Sequence, residues 1–273
     1  MIRLSAFADE ISDDLDEQIA VLLAEGIQLL DLRSVAGVNV LDLTDEQVEQ
    51  IRSRLVAGGI GVAAIASPLG KSAIGEPFER VVAGLDRAIE LAHIFDTRVI
   101  RIFSFYPEGC SGESMRNEVV TRLRAMAAGA GESDTILVHE NDKGLYGDTI
   151  ARCVELMEAV DSPALRVALD PANFIQCGEK PFPDAYEALR PWLAYVHVKD
   201  ARHDGTVVEA GRGEARWLEL LSALRRDGYE GVFALEPHLA AEGQYRGFSG
   251  PDRFREASRA FGGLLGDMDW AHE

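Results

Sequence analysis

The sequence predicts an α/β protein that folds as a single (β/α)₈ barrel, and three observations support this fold class. Short apolar runs rich in β-branched residues recur eight times along the 273 residues. Each run is followed by a polar stretch and then by a segment with helical periodicity. The starts of the runs lie 26 to 38 residues apart, which leaves room each time for a strand, a helix and two loops.

The eight predicted strands are apolar at nearly every position. Such strands, when they alternate with helices, are typical of a parallel sheet covered by helices. Eight units in a chain of this length favour a closed barrel over an open doubly wound sheet. In chain order the predicted strands are Ile2–Phe7, Gln28–Leu32, Gly61–Ile65, Arg98–Phe103, Thr135–His139, Arg166–Leu169, Ala194–Val198 and Val232–Leu235.

The segments between the strands carry their own helix signals. One face of the first is lined by Leu15, Ile19, Leu22 and Leu23. Thr44 precedes "DEQVEQIRSRL", and Gln47 follows it by three residues, which is the pattern of a capping box. We find no linker or low-complexity stretch, so we expect one domain over residues 1–273.

Composition and charge exclude several classes of function. The net charge is -19, and this field repels phosphate backbones, so we expect no nucleic-acid partner. No window approaches ~18 consecutive apolar residues, so we expect no membrane span. The first strand is not followed by G-x-G-x-x-G, and no P-loop pattern occurs, which argues against the usual dinucleotide and nucleotide sites.

The N-terminus and the cysteines predict a cytoplasmic protein. The opening "MIRLSAFADE" is acidic by position 9 and lacks the basic and apolar regions of a signal peptide. Cys110, Cys153 and Cys177 are odd in number and widely spaced, which is typical of a reduced compartment.

Ionisable residues stand at the ends of four successive predicted strands. In a (β/α)₈ barrel the active site is built where the strands end. "ILVHEN" delivers Glu140, "RVALDPAN" delivers Asp170, "YVHVKD" delivers His197 and "FALEPH" delivers Glu236. Taken singly, each has an ordinary alternative: a carboxylate can cap a helix, Asp170 before a proline can be a turn residue, and a lone histidine is usually a core residue.

Taken together, the four residues predict a metal site. Three carboxylates brought within ~5 Å of one another would repel unless a cation neutralised them, and a divalent metal resolves that conflict. Three carboxylates and one imidazole form an oxygen-rich site, which suits Mn²⁺ or Mg²⁺ and also Co²⁺ or Zn²⁺.

At these residues the sequence resembles the sugar phosphate isomerase/epimerase superfamily, the xylose isomerase-like TIM barrels. The superfamily includes ketose 3-epimerases, hydroxypyruvate isomerases, inosose dehydratases and endonuclease IV. The resemblance covers nearly the whole chain, through "SAFADEISDD", "IASPLGK", "LVHEN", "ALDPAN", "YVHVKDAR" and "LEPH". It implies one divalent metal held by Glu140, Asp170, His197 and Glu236, with Glu140 and Glu236 also serving as the catalytic acid/base pair.

The implied reaction is proton transfer beside a carbonyl. A metal that bridges a ketone and its neighbouring hydroxyl acidifies the adjacent C–H and stabilises an enediolate, while one carboxylate removes the proton and another returns it. The epimerase pattern often has a histidine three residues after the aspartate of the sixth strand. Here that position is Asn173, which donates a hydrogen bond to a substrate hydroxyl but cannot shuttle a proton.

Further polar residues are predicted to contact the substrate. Lys199 lies two residues after His197, so on an extended strand it shares the inward face. His139 precedes Glu140 and is expected to point toward the helices instead. With Asn173, the predicted substrate-binding set is completed by Lys199, Asp200, Arg202, Lys71 and Arg212, the last in the glycine-rich "EAGRGEARW", and His238 is a weaker candidate.

The leading functional hypothesis is a metal-dependent isomerase or epimerase of a sugar, a keto-polyol or a small hydroxy-carbonyl compound in carbohydrate metabolism. A metal-dependent lyase of the inosose dehydratase type is the alternative, because the same enediolate expels a hydroxyl positioned β to the carbonyl. An endonuclease IV-like phosphodiesterase would need additional histidine and carboxylate ligands for a multi-zinc cluster and a basic face for DNA, whereas the chain has six histidines and a charge of -19. A sugar-sensing binding protein would not need all four ligands. The resemblance also allows a homodimer or homotetramer.

Overall fold

The computed structural model describes residues 1–108, 112–240 and 249–272, and within them the predicted barrel is confirmed. Eight parallel strands follow one another around a single sheet, and β1 pairs with β8. A parallel bridge between Phe7 and Asp31 joins β1 to β2 and closes the ring. The strands are β1 Arg3–Ala6, β2 Leu29–Leu32, β3 Gly61–Ala66, β4 Val99–Ile102, β5 Ile136–Glu140, β6 Leu165–Leu169, β7 Leu193–Val198 and β8 Val232–Leu235.

The helices of the described residues pack outside the sheet. The predicted capping box is present at the start of α2: Thr44 Oγ1 accepts the Gln47 N–H at 3.3 Å, and Gln47 Oε1 accepts the Thr44 N–H at 2.9 Å. The α-helices are α1 Leu15–Ala24, α2 Asp45–Gly58, α3 Phe78–Ile94, α4 Gly112–Glu132, α5 Ile150–Val160, α6 Pro171–Gln176, α7 Tyr186–Leu189, α8 Trp217–Arg226 and α9 Gly250–Asp267.

Two short hairpins lie in the loops that follow the strands. One pairs Ser34–Val35 with Val38–Asn39 after β2, and the other pairs Asp200–Ala201 with Val207–Val208 after β7. Both lie at the carboxyl ends of the strands, where a barrel builds its active site. Cys110 lies outside the described residues, whereas Cys153 and Cys177 are free thiols.

The interior of the barrel is lined mainly by small side chains, and this leaves room for larger polar ones. Alanines at 63, 64, 66, 168 and 234 pack there with Phe7 and Tyr195. Asp31 is buried in this layer, where its Oδ1 accepts hydrogen bonds from Ser5 Oγ at 2.5 Å and from Tyr195 Oη at 2.7 Å. Burial raises the pKa of Asp31. The larger apolar core lies between the sheet and the helices.

In the part of the chain that the structure describes, no helix is both long enough and apolar enough to cross a membrane.

Candidate active site

The four predicted metal ligands meet at the carboxyl end of the barrel. Glu140 is the last residue of β5, Asp170 follows β6, His197 is the fifth residue of β7, and Glu236 follows β8. Each is buried and offers one ligand atom, and these four atoms lie within 4.8 Å of one another. Consecutive parallel strands place their ends side by side, which is why residues 96 positions apart converge here.

Three residues of this cluster have buried atoms that lack a hydrogen-bond partner. His197 Nδ1 lies 3.4 Å from Glu140 Oε1 and 3.6 Å from Glu236 Oε2. His197 Nδ1, Glu236 Oε2 and Asp170 Oδ2 are all fully buried without a hydrogen-bond partner, although Asp170 Oδ2 is ion-paired with Lys199. Buried polar atoms are nearly always satisfied, and a cation beside these atoms would satisfy them. The donor set and the unpartnered atoms therefore fit a divalent metal.

Protein cations also neutralise this cluster. Arg101 Nη1 lies 3.1 Å from Glu140 Oε2, Arg33 Nη1 lies 2.8 Å from Glu236 Oε1, and Lys199 Nζ lies 2.7 Å from Asp170 Oδ2. From the sequence alone, a metal was expected to supply all of this neutralisation. The structure supplies three protein cations as well, with Arg101 and Lys199 buried and Arg33 half-buried, so the unpartnered atoms are the stronger evidence for a metal.

Sequence reasoning missed Arg101 as a site residue. It is the third residue of β4 and is 5% exposed. Its guanidinium lies between two aromatic rings, with Cζ 5.2 Å from the centre of Phe7 and 4.6 Å from the centre of Phe103. The available signal was an arginine in the middle of the apolar run "RVIRIF", a position where a charge needs a buried partner.

Burial and neighbouring charges give the three carboxyl groups of the cluster different pKa values. Burial alone would raise the pKa of Glu140, but His197 and Arg101 beside it lower that pKa to about 2. Burial likewise opposes ionisation of Glu236, yet Lys199, His238, His197 and Arg33 hold its pKa well below the usual range. Asp170 differs, because burial and the two neighbouring glutamates outweigh Lys199 and raise its pKa to about 6.

Aromatic rings fix the imidazole of His197. The ring of Phe7 meets it edge-on at a centroid distance of 5.1 Å, and the ring of Tyr195 does so at 5.9 Å. Tyr195 lies two residues earlier on β7 and is held in turn by its hydrogen bond to Asp31. These contacts limit rotation of the imidazole, so that Nδ1 stays directed at the two glutamates.

A cavity of about 350 Å³ is lined by residues of this cluster and contains three of the predicted substrate-binding residues. Asn173 Nδ2 donates to Glu140 Oε1 at 3.2 Å, and Lys199 Nζ lies 3.6 Å from Glu236 Oε2. Lys71 lies at the rim, where its Nζ is 2.7 Å from Asp142 Oδ2. His238 also lines this cavity, with Nε2 3.1 Å from Glu10 Oε1.

Asp200, which was also predicted to bind substrate, is directed into its own loop. Its carboxylate accepts the backbone N–H groups of four residues at 2.8 to 3.0 Å: Ala201, Gly211, Gly213 and Ala215. A Cβ on Gly213 would lie 2.3 Å from both Asp200 Oδ1 and the Ala201 carbonyl oxygen, so only glycine allows this close approach.

The structure does not bring Arg202 or Arg212 to the described cavity wall. Both are exposed, and the nearest recorded carboxylate to Arg212 is Glu209 at 3.9 Å. His139 is buried away from the four ligands beside Gly147, and burial lowers its pKa to about 4.

The family that the chain matches has the same barrel fold. The family model described as "Xylose isomerase-like TIM barrel" matches residues 21–261. The chain belongs to the xylose isomerase-like TIM-barrel family. The resemblance seen in the sequence motifs is thereby confirmed.

The relatives of this xylose isomerase-like barrel include more than one kind of enzyme. A 3-dehydroshikimate dehydratase of Bacillus anthracis is 27% identical over 124 residues, which are 45% of this chain and 44% of that protein. The matched segment thus spans less than half the length of that curated relative. The identity is local, so it leaves the reaction of this chain open.

Solved structures match over almost the full length. A D-tagatose 3-epimerase-like protein superposes with a TM-score of 0.79 at 16% identity, covering 98% of each chain. A xylose isomerase-like TIM-barrel protein from Mycobacterium smegmatis, solved in complex with magnesium, gives a TM-score of 0.75 at 17% identity and covers 99% of this chain and 97% of the other. At such identities these matches establish the fold.

Proposed function

We propose that this protein is a divalent-metal-dependent enzyme that moves a proton at a carbon beside a carbonyl, acting as an isomerase or epimerase of a sugar or keto-polyol. The observation that carries the proposal is the buried cluster of Glu140, Asp170, His197 and Glu236, in which three of the four residues have a buried atom without a hydrogen-bond partner. Membership of the family supports it, because relatives with this fold include an epimerase-like protein and a dehydratase.

The four residues of the cluster would hold the metal, with Mg²⁺ or Mn²⁺ as the best fit to three carboxylates and one imidazole. When bound, such an ion supplies Lewis acidity that polarises a substrate carbonyl and acidifies the neighbouring C–H. His197 presents Nδ1 to the two glutamates, and the edges of Phe7 and Tyr195 keep it there.

Glu140 and Glu236 are assigned the proton transfers. Each has one oxygen fixed by an arginine, Arg101 for Glu140 and Arg33 for Glu236, while the other oxygen faces His197. Their lowered pKa values favour the carboxylate form, which accepts a proton. One takes the proton from the substrate carbon, and in an isomerisation the same group gives that proton to the neighbouring carbon. In an epimerisation the other glutamate, protonated beforehand from solvent, gives its proton to the opposite face of the same carbon.

A lyase is the second candidate, and Lys199 is the observation that favours it. Its ammonium group is buried between Asp170 at 2.7 Å and Glu236 at 3.6 Å, beside the proposed reaction centre. A cation at this point would donate a hydrogen bond to a departing hydroxyl β to the carbonyl, while the neighbouring carboxylates hold the pKa of Lys199 above its usual range. Asn173, in place of the histidine often found in epimerases, fits this reading as well, and a 3-dehydroshikimate dehydratase is among the relatives.

The test is a turnover screen in D₂O read by NMR. Metal-supplemented protein is incubated with keto-sugars, inososes and 3-dehydroshikimate. Deuterium gained beside a carbonyl with the carbon count and oxygens retained supports the isomerase, whereas loss of water supports the lyase. Absence of both across all three substrate groups contradicts the proposal. The matched pair of variants is Glu140→Gln, expected to lose most of its turnover, and Glu49→Gln, which changes an exposed glutamate of α2 and is expected to retain activity.

A further inference from the structure

We infer that Asn141 is a positioning residue, which fixes the backbone of Asp170 and thereby holds that carboxylate beside Glu140. The inference rests on the proposed function, because it takes Glu140 and Asp170 as ligands of one metal ion. It adds a residue that acts on metal binding through Asp170. Asn141 directly follows Glu140 in the chain and is 2% exposed.

The hydrogen-bonded ladder between β5 and β6 ends before it reaches Asp170. Its last register pair joins Glu140 to Ala168, two residues earlier than Asp170. Asp170 keeps an extended backbone, with φ −107° and ψ 106°, and Pro171 then begins α6. The backbone N–H and C=O of Asp170 therefore lie beyond the paired part of β5, and such groups need partners when they are buried.

The side chain of Asn141 supplies both partners. Its Oδ1 accepts the Asp170 N–H at 2.9 Å, and its Nδ2 donates to the Asp170 carbonyl oxygen, also at 2.9 Å. An asparagine amide carries an acceptor and a donor side by side, so it can bind both backbone groups of one residue. Alanine offers neither group, and serine offers only one hydroxyl. The Asn141 side chain thus continues the pairing of β6 where the backbone of β5 no longer does.

A second asparagine extends this connection to Glu140. Asn173 Nδ2 donates to the Asn141 carbonyl oxygen at 3.0 Å and to Glu140 Oε1 at 3.2 Å. The backbone N–H of Asn173 donates in turn to Asp170 Oδ1 at 2.9 Å. These hydrogen bonds form a closed set that links the end of β5 to the first turn of α6. The carboxylates of Glu140 and Asp170 are both part of it.

The position of the Asp170 backbone determines where its carboxylate lies. Oδ1 caps α6, and Oδ2 lies 2.7 Å from Lys199 Nζ. An aspartate side chain has only two torsions, so a shift of its backbone carries the carboxylate with it. The four proposed ligand atoms lie within 4.8 Å of one another, which leaves little room for such a shift. Residues that orient metal ligands without binding the ion change metal affinity by about 10- to 100-fold when they are replaced.

The experiment separates metal binding from stability with matched variants. Asn141→Ala removes both hydrogen bonds to Asp170. Asn141→Ser keeps a buried hydroxyl and is measured beside it, so that the test does not depend on the alanine variant folding. Thr97→Val is the control, because Thr97 makes the same kind of buried contact before β4, at the opposite end of the barrel. Its Oγ1 donates to the Ala63 carbonyl oxygen at 2.7 Å and accepts the Val99 N–H at 3.3 Å.

Calorimetric titration of the folded, metal-free proteins with Mg²⁺ and with Mn²⁺ measures Kd, and urea denaturation without metal measures stability. We expect both Asn141 variants to raise Kd at least tenfold. Thr97→Val is expected to lower the urea midpoint but to change Kd less than twofold. Asn141 variants that bind metal within twofold of the wild type would overturn the inference, and so would an equal rise of Kd in Thr97→Val.

The wild-type titration and the D₂O screen separate this inference from the proposed function. If metal affinity depends on Asn141 but no substrate exchanges a proton or loses water, the inference stands and the proposed reaction fails. If the wild type turns over substrate and the Asn141 variants bind metal as the wild type does, the proposed function stands and the inference fails. A wild type that binds neither ion would overturn the metal site and this inference together.

Discussion

The two carboxylate oxygens of Glu140 contact different groups. Oε2 is bound to Arg101 at 3.1 Å, whereas Oε1 accepts a hydrogen bond from Asn173 Nδ2 at 3.2 Å and lies 3.4 Å from His197 Nδ1. Arg101 is itself fixed by two carbonyl oxygens and two aromatic rings. The carboxylate is therefore positioned before any ligand binds, which is what efficient proton transfer requires.

The first prediction concerns replacement of this carboxylate. Glu140→Gln keeps the shape of the side chain but removes its charge and its capacity to accept a proton. We expect metal affinity to fall and turnover to drop by about 10²- to 10⁴-fold, the usual contribution of a general base. Metal content after dialysis and proton exchange in D₂O measure the two effects separately. Turnover retained in a variant that no longer binds metal would contradict the mechanism.

The sequence predicts which residues meet in the cluster better than it predicts the residues that support them. Glu140, Asp170, His197 and Glu236 were predicted to lie together because each stands at or near the end of a strand, and strand ends meet in a barrel. Arg101 was not predicted as a site residue, because its role depends on which face of β4 it occupies and on the positions of the Phe7 and Phe103 rings. Spacing along the chain does not encode those distances.

The conformation of the loop after β7 depends on the carboxylate of Asp200. Asp200 gathers the N–H groups of Ala201, Gly211, Gly213 and Ala215, and it thereby ties residues 211–215 to the end of the strand that carries His197. Hydrogen bonds to a buried charged group are each stronger than the average, and four donors left unpaired by its removal would be costly.

The second prediction is that Asp200→Ala lowers the free energy of unfolding by about 2–4 kcal/mol, since four backbone donors lose their acceptor. Urea denaturation measures the change. Asp86→Ala, at an exposed position of α3, serves as the control and is expected to change the free energy of unfolding by less than about 0.5 kcal/mol. A loss of equal size in both variants would show that the loop does not depend on Asp200.

The strands themselves were predictable to within one residue at each end, because buried parallel strands are apolar at almost every position. The hairpin after β7 could not be predicted from the sequence. Asp200 was predicted to contact substrate because it follows the seventh strand. In the structure the path of the loop instead brings four N–H groups to its carboxylate. That convergence depends on backbone turns at Gly211 and Gly213, which residue type alone does not determine.

The whole molecule is needed to assemble the site. The four proposed ligands come from β5, β6, β7 and β8, and β8 is held in place by β1 on its other side. Arg33 and Arg101, which fix the two glutamates, come from the segment after β2 and from β4. An unfolded chain separates these residues, so a metal would bind the native state far more tightly than the unfolded one, and binding becomes linked to folding.

The third prediction follows from this linkage. At a free Mg²⁺ or Mn²⁺ concentration of about 100 times Kd, binding to the native state alone adds about 2.7 kcal/mol. For a chain of this size that gain raises Tm by about 5–10 °C. Scanning calorimetry with and without the metal measures the shift.

Asp170→Asn is the variant that isolates the effect. An asparagine oxygen can still cap α6, where Asp170 Oδ1 accepts the Asn173 N–H at 2.9 Å, so the helix retains its first turn. The charge on the proposed ligand is lost, and Lys199 is left without its partner at 2.7 Å. We therefore expect a folded protein whose Tm no longer responds to the metal. A metal-induced shift as large as that of the wild type would show that the ion binds elsewhere, and the four-residue cluster would then lose its assigned role.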